Sequence, residues 1–344
     1  MRIDIAAFTL RGAALAARLA DALCAQGEEA AAFAAPAVAG QAGLPSTGGV
    51  GEWTQARFAQ VDALIYVGAT GIAVRAVAPH LRSKLTDPAV VSIDEAGRFA
   101  VALVSGHVGG ANRLAARVAA ITGGQAVIST ATDVNGKFAV DEWLARQGLA
   151  LVHPHAVRAV AGRLLRGEAV GFASDFPVLD ALPDGLTACR QGEAGLYVGI
   201  RADLPFARTV VGVPKIVLLG IGCRKGIGEM AIDAAVRTAL ERARILPESL
   251  CGAASIDLKR GEQGLIDYCD HHDLPLRFFG AEELSRAEGH FTPSERVLRV
   301  TGVDNVCERA AVCAGGRLIA PKMALDGVTV ALAVRAYAVS FEGA

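Results

Sequence analysis

The segment Ser105-Gly106-His107-Val108-Gly109-Gly110-Ala111-Asn112 holds the residue types best suited to acid–base chemistry in this chain. Three glycines surround one histidine directly ahead of a stretch with helical apolar spacing. Glycine lets backbone approach a ligand closely, and the first amides of a helix have no intrahelical acceptor. The positive end of the helix dipole favours a carboxylate or a developing oxyanion at that place, which directs attention to the backbone of Gly109 and Gly110. His107 is the residue type that titrates near neutrality, and so suits proton transfer. The alternative is a turn in which His107 only caps or packs, and spacing alone does not separate the two.

Carboxylates follow downstream. Asp133 stands after Thr130-Ala131-Thr132, and Asp141-Glu142 come after Phe138. Either cluster could supply a general base or an orienting partner for His107. Capping competes with this: Asp133 beside Asn135 makes a reasonable turn, and capping is the stronger reading for Asp141.

Two further junctions pair glycine with basic residues. Gly68-Ala69-Thr70-Gly71-Ile72-Ala73-Val74-Arg75 joins an apolar run to a helix, with Lys84 and Asp87-Pro88 soon after, and Arg75 and Lys84 are candidate carboxylate partners. A solvated surface explains the same residues. Gly220-Ile221-Gly222-Cys223-Arg224-Lys225-Gly226 is a credible anion-binding turn, near which Ser255, Lys259 and Lys322 could converge. It is not a P-loop, because the lysine precedes the last glycine and no Ser or Thr follows, and it lacks dinucleotide spacing. Cys223 suits packing better than nucleophilic attack. Cys269-Asp270-His271-His272-Asp273 are adjacent rather than spaced along one face, so a helix end explains them better than a metal site. His153 and His155, flanking Pro154 at a helix start, also read as structural.

These segments need elements to position them. Residues 3–10 and 13–25 read as a strand followed by an amphipathic helix, and the Gly/Pro/Ala-rich stretch to residue 51 as a loop. Strands are expected at 63–67, 90–93, 99–103 and 126–129, with helices at 72–80 and 111–122. Strands 90–93 and 99–103 pair across the Asp94-Glu95-Ala96-Gly97 turn. Such alternation implies βαβ units and a mainly parallel sheet, whose strand ends carry the glycine turns on the ligand-binding edge. The middle region is less regular, with one helix near 154–166, a Pro-rich stretch at 176–185 and a strand near 195–201. A β-α pattern restarts with a strand at 216–221 and a helix at 227–242. It continues with a helix at 262–271, a strand at 276–279, a helix at 303–314 and a strand at 328–339. The expected fold class is therefore α/β, with mainly parallel sheets flanked by helices. An N-terminal α/β domain (1–132) leads to a small linking domain (133–214) and a C-terminal α/β domain (215–344).

Composition narrows the classes. The 344 residues are 52% hydrophobic and 20% charged, enough to bury two or three cores, and a net charge of −1 argues against nucleic acid as a partner. The longest uncharged stretch is broken by prolines and glycines, so no membrane span is expected, and Asp4 inside the first apolar run argues against a signal peptide. Seven cysteines without a CxxC pair fit reduced thiols in the cytoplasm. A nucleotide-dependent α/β enzyme is the rival that composition allows, and the failed phosphate-loop spacings count against it.

Together the motifs resemble one family. ATGIAVR at 69–75, KLTDPAVVSIDEAGRFAVALVSGHVGGAN at 84–112, STATD at 129–133 and FAVDEW at 138–143 look like the CbiG pattern. LGIGCRKGI at 219–227 and SIDLK at 255–259 look like the C-terminal domain that CbiG shares with CobE. The likeness spans about 61 to 332; the linker is weakly diagnostic and the first fifty residues are not distinctive. The resemblance implies a cobalt-precorrin-5A hydrolase of anaerobic cobalamin (vitamin B12) biosynthesis. Such an enzyme opens the ring-A delta-lactone and releases acetaldehyde to give cobalt-precorrin-5B. It implies a cobalt-containing tetrapyrrole substrate rich in carboxylates, with no protein metal site and no further cofactor because the cobalt belongs to the substrate. Transient contact with other enzymes of the pathway is compatible with it.

On that footing His107 acts as base with Asp133 as orienter, and the Gly109 and Gly110 amides hold the oxyanion. Substrate contacts fall to Thr70, Gly71, Arg75, Lys84, Ser105, Asn112, Arg224, Lys225, Ser255 and Lys259. The principal alternative is a non-catalytic tetrapyrrole-binding or carrier protein of the same pathway.

Overall fold

The computed structural model describes residues 1–83, 86–107 and 109–342, without the side chains of residues 132 and 133. Lys84 and the Asp133 side chain, both expected in the site, lie outside the described residues. The chain divides into two compact units, Met1–Glu142 and Trp143–Ala344.

The first unit is built on one six-stranded sheet. Its strands are β1 (Arg2–Ala7), β2 (Glu29–Ala34), β3 (Ala63–Val67), β4 (Ala89–Ile93), β5 (Phe99–Val104) and β6 (Gln125–Val127), in the order β2-β1-β3-β4-β5-β6. β1 to β4 are parallel. β5 turns back antiparallel to β4, and β6 follows the direction of β5. Helices α1 (Leu10–Ala25), α2 (Pro36–Ala42), α3 (Val50–Arg57), α4 (Thr70–Val77) and α5 (Ala111–Thr122) link the strands, and α6 (Ala131–Val134) follows β6.

Local chemistry explains the main elements. The Thr9 side chain accepts the Gly12 N–H at 3.0 Å and starts α1. Leu15, Leu19 and Leu23 then recur on one buried face, and full burial of each contributes roughly 1.5–3 kcal/mol. Every residue of β3 and β4 is buried, as befits strands covered on both faces. Residues 26–51 depart from the expected loop. They contain β2 and α2, and the alanines of β2 are held there by parallel pairing with β1.

The second unit carries two sheets. The first has β7 (Ala150–Val152), β8 (Val170–Ser174), β9 (Leu186–Ala188), β10 (Ala194–Val198) and β11 (Arg208–Val213), ordered β7-β11-β10-β8-β9. All its pairings are parallel except β7 with β11. The region read as irregular, with one strand, thus holds a complete sheet beside α8 (His155–Leu165). α7 (Val140–Arg146) precedes it in the chain.

The last sheet has β12 (Val217–Cys223), β13 (Leu250–Ile256), β14 (Leu276–Phe279), β15 (Arg317–Leu325) and β16 (Val328–Val334), ordered β14-β13-β12-β16-β15. β12, β13 and β14 are parallel, and the β15–β16 hairpin closes the other side antiparallel. Helices α9 (Glu229–Ala243), α10 (Gln263–His271), α11 (Ala281–Ser285), α12 (Glu295–Thr301) and α13 (Cys307–Cys313) surround it. α13 starts later than the expected 303, because the Asn305 side chain accepts the Glu308 N–H at 2.9 Å and fixes the first turn there. Among the described residues no helix is long and apolar enough to cross a membrane.

Candidate active site at the edge of the first sheet

The reversal at β5 decides what the first sheet can bring together. The carboxyl ends of β1, β3 and β4 share one edge, where the strand order changes direction between β1 and β3. Thr70, Gly71 and Arg75 sit there: Gly68 N–H reaches Ile93 O at 2.8 Å, and the Thr70 hydroxyl lies 3.1 Å from that of Ser92. Arg75 is exposed and bonds back to Gly71 O at 3.3 Å. The turn after β5 leaves from the opposite edge, since Val104 pairs with Val90 near the start of β4. The expectation that both glycine turns share one edge is therefore corrected. An antiparallel hairpin separates them by the length of β4, roughly 15 Å at ~3.3 Å per residue.

At that second edge residues 105–107 and 109–112 are closed tightly. Ser105 adopts a φ of 57°, a left-handed conformation unusual outside glycine. A Cβ on Gly109 would stand 2.4 Å from Ser105 Cβ and 2.9 Å from Ser105 O, so only glycine fits. Gly110, with φ 83°, caps α5 without a side chain. Ser105 is buried, and its hydroxyl has no hydrogen-bond partner among the described residues.

The backbone amides are less available than expected. Gly110 N–H donates to His107 O at 3.0 Å, Ala111 N–H to Ser105 O at 3.1 Å, and Asn112 N–H to Gly106 O at 3.0 Å. The turn consumes the donors that a bare helix start would offer, so Gly110 is corrected as an oxyanion donor. Gly109 N–H has no backbone acceptor among the described residues. Asn112 is also corrected: it is buried, and its side-chain amide donates to the Thr130 hydroxyl at 2.7 Å, bracing α5 against the segment after β6.

His107 meets a carboxylate here. Its Nδ1 lies 3.4 Å from Asp141 Oδ1, with both side chains largely enclosed. Asp141 lies in the first turn of α7, and the same oxygen accepts the Glu142 N–H at 3.2 Å. Asp141 thus stands inside α7 rather than at its N-cap, and the capping reading omits its approach to His107. A carboxylate at Nδ1 favours the proton there and leaves Nε2 to accept one from water or substrate. The spacing is at the long end for a hydrogen bond, as acid–base pairs often are before substrate tightens them.

The C-terminal turn has a different character. A Cβ on Gly220 would fall 1.7 Å from Cys307 O, and one on Gly222 2.6 Å from the Thr329 hydroxyl, so these glycines serve close packing. Ser255 is fully buried and donates to Ile221 O at 2.6 Å, a strand-to-strand tie that corrects its assignment to substrate. Lys259 reaches Glu262 at 3.1 Å, and Glu262 also accepts the Gly226 N–H at 2.8 Å. The Gly226 amide, with Lys259 beside it, holds the Glu262 carboxyl below the usual range. Arg224 and Lys225 are exposed on the same edge. Burial pushes the Cys223 thiol up, which disfavours a thiolate nucleophile. His271 pairs with Glu229 at 2.6 Å and His272 with Asp233 at 3.7 Å, so this cluster braces α10 against α9. Among the described residues no group of three or more His, Cys, Asp and Glu side chains is placed to hold a metal ion.

Fold and site define the class: an α/β protein whose first sheet carries a histidine–carboxylate pair at a closed glycine turn. Residues 52–133 match the family described as Cobalamin synthesis G N-terminal, and 217–333 match Cobalamin synthesis G C-terminus. Over 306 residues the chain is 36% identical to the cobalt-precorrin-5A hydrolase of Salmonella typhimurium, covering 85% of this chain and 87% of that protein. It is 28% identical over 301 residues to the protein of the same name from Priestia megaterium, covering 81% and 80% respectively. Protein CobE of Sinorhizobium sp. is 32% identical over 120 residues, 34% of this chain and 78% of that one. The chain belongs to the cobalamin synthesis G family, CbiG, with a CobE-like C-terminal region.

Proposed function

We propose that this chain is a cobalt-precorrin-5A hydrolase of cobalamin biosynthesis and that His107 and Asp141 carry its acid–base step. The observation behind the residue assignment is the Nδ1–carboxylate approach at the closed turn. Relatives named for this activity align over most of their length.

In the proposed sequence His107 Nε2 takes a proton from water as its oxygen attacks the lactone carbonyl. Asp141 holds the ring in the productive tautomer and stabilises the imidazolium. The tetrahedral intermediate collapses, the ring C–O bond breaks, and the departing alkoxide receives the proton. The freed hydroxyl is then deprotonated, its oxygen forms the acetaldehyde C=O, and the adjacent C–C bond breaks. Its electron pair stays on the macrocycle carbon, which takes up a proton. The sum is lactone plus water giving a carboxylic acid and acetaldehyde. The developing oxyanion is assigned to the Gly109 N–H, which has no backbone acceptor among the described residues. Cobalt enters as part of the substrate, and no resident cofactor is invoked. The same proposal places the enzyme in the cytoplasm, where its seven free cysteines stay reduced.

Acetaldehyde trapped from the lactone substrate tests this reading. Stoichiometric release by the wild-type chain and its loss in His107→Ala are expected. Normal release by His107→Ala would remove the histidine from the mechanism, and no release by the wild type would reject the activity.

A further inference from the structure

The second unit contains a cavity of about 630 Å3, which lies within the roughly 300–1,000 Å3 typical of small-molecule sites. Its walls come from the face of β15 and β16, the last turns of α9, and the segments after β8 and β10. Ile245, Ile319, Met323 and Leu332 supply an apolar floor. Arg201, Arg242, Arg317 and Lys322 line the same space. Among the described residues no carboxylate lies within ion-pair distance of any of these four cations. The single acid in the lining, Asp175, accepts the Tyr197 hydroxyl at 2.6 Å.

The wall is built. β15 is an edge strand whose register slips between Leu318 and Ala320 and again between Ala320 and Met323. Such bulges re-aim side chains and cluster near sites. Lys322 is anchored there: its N–H donates to Glu308 at 2.6 Å, and its ammonium reaches Thr292 O at 3.2 Å. Glu308 is fully buried and also accepts from Thr292 and Asn305.

Three arginines with no ion-pair partner among the described residues, beside Lys322 and around an apolar floor, match a ligand with a hydrophobic body and several peripheral carboxylates. We propose that this cavity is a docking site for the carboxylate-bearing face of a tetrapyrrole-type macrocycle. The ring lies on the apolar floor and its acetate and propionate arms reach the guanidinium groups. The inference deepens the hydrolase reading and rests on it for the natural ligand, while the cavity's own chemistry supplies the polycarboxylate class.

Uroporphyrin I, an octacarboxylate, serves as probe for the full-length chain, with the Soret band reporting binding. Saturable binding that weakens with salt is expected, as is a loss of about tenfold or more in Arg201→Glu/Arg317→Glu. The conservative Arg201→Lys/Arg317→Lys pair should bind within a few-fold of wild type. A matched reversal elsewhere, Arg237→Glu/Arg286→Glu, changes two exposed arginines, each paired with a carboxylate four residues earlier, and should leave binding intact. Unsaturable binding by the wild type, or equal weakening by both reversals, overturns the cavity as a site. Acetaldehyde release separates this from the parent reading. If the wild type releases acetaldehyde while the Arg201/Arg317 reversal binds the probe normally, the cavity fails and the hydrolase stands. If the wild type binds the probe through these arginines but releases no acetaldehyde, the cavity stands and the hydrolase fails.

Discussion

Asp141 brings its carboxylate to 3.4 Å from Nδ1 of His107, joining the first turn of α7 to the turn that follows β5. The two residues are distant in sequence and come together at one edge, near the ends of β5 and β6. A carboxylate at that distance favours the tautomer with its proton on Nδ1, a bias that a solvent-exposed histidine lacks. The pairing also gives Asp141 a partner that the capping reading did not include.

Asp141→Asn should therefore lower the single-turnover rate of acetaldehyde release by about 10²–10⁴-fold, with substrate affinity nearly unchanged. An asparagine keeps the shape but cannot stabilise the imidazolium. Stopped-time trapping of acetaldehyde under excess enzyme measures it. A rate equal to wild type would show that the pair plays no part in proton transfer.

Gly109→Ala offers a test of the closed turn. Its Cβ meets Ser105 at 2.4 Å, so either Ser105 moves or the turn opens. A loss of about 1–3 kcal/mol in urea stability and at least ~100-fold in activity is expected, because an ångström of misplacement suffices for the latter. Gly123→Ala is the comparison: φ is 72° but nothing lies within 4 Å, so about 1–2 kcal/mol and no change in rate should follow.

Much of this architecture was legible in the residue order, and the failures have physical causes. The hairpin of β4 and β5 follows from two apolar runs around Asp94-Glu95-Ala96-Gly97, and the structure has it. Its consequence for direction, which puts Ser105 opposite Thr70, is a property of the whole sheet rather than of either segment. β2 is mostly alanine and acquires strand geometry from its neighbour. β15 hides because an edge strand tolerates Arg317, Pro321 and Lys322. The cationic cavity could not be read at all, since its arginines come from separate elements and nothing local links them.

The separation of edges has its own test. Arg75→Ala removes a cation that stands one strand length from His107, so the single-turnover rate should stay within about threefold, as for distant sites without shared partners. Rapid-quench kinetics at saturating substrate reports it. A fall of about 100-fold would mean that the Gly68–Arg75 edge, not the Ser105–Asn112 edge, surrounds the reacting carbonyl.

Glu262 gives the C-terminal turn an acid limb. Its carboxyl sits below the ordinary 4.5, first through the Gly226 N–H and then through Lys259. A folded value below the unfolded one contributes stability that is fully present above pH 4.5 and lost as pH falls through the folded value. The stability gap between wild type and Glu262→Gln should be widest near neutrality and shrink on acidification below 4.5. Urea midpoints taken across that range decide it, and a gap that is constant with pH would show that the carboxylate is not what ties Gly226 down.

Glu308 should be the costliest single carboxylate in the second unit to remove. It is fully buried and accepts the Thr292 N–H at 2.7 Å, the Thr292 hydroxyl at 2.9 Å, the Asn305 side-chain amide at 2.9 Å and the Lys322 N–H at 2.6 Å. Glu308→Gln replaces one acceptor oxygen with a donor that faces donors, leaving buried groups unsatisfied at about 1–3 kcal/mol each. A loss of at least ~2–3 kcal/mol in urea unfolding is expected, against no more than ~0.5 kcal/mol for the exposed Glu282→Gln. Because the same carboxylate anchors the Lys322 backbone in the bulge of β15, uroporphyrin affinity should fall with it even under conditions where the variant remains folded. Unchanged affinity together with lost stability would confine Glu308 to holding the Thr292–Asn305 segment and would separate the bulge from the cavity it lines.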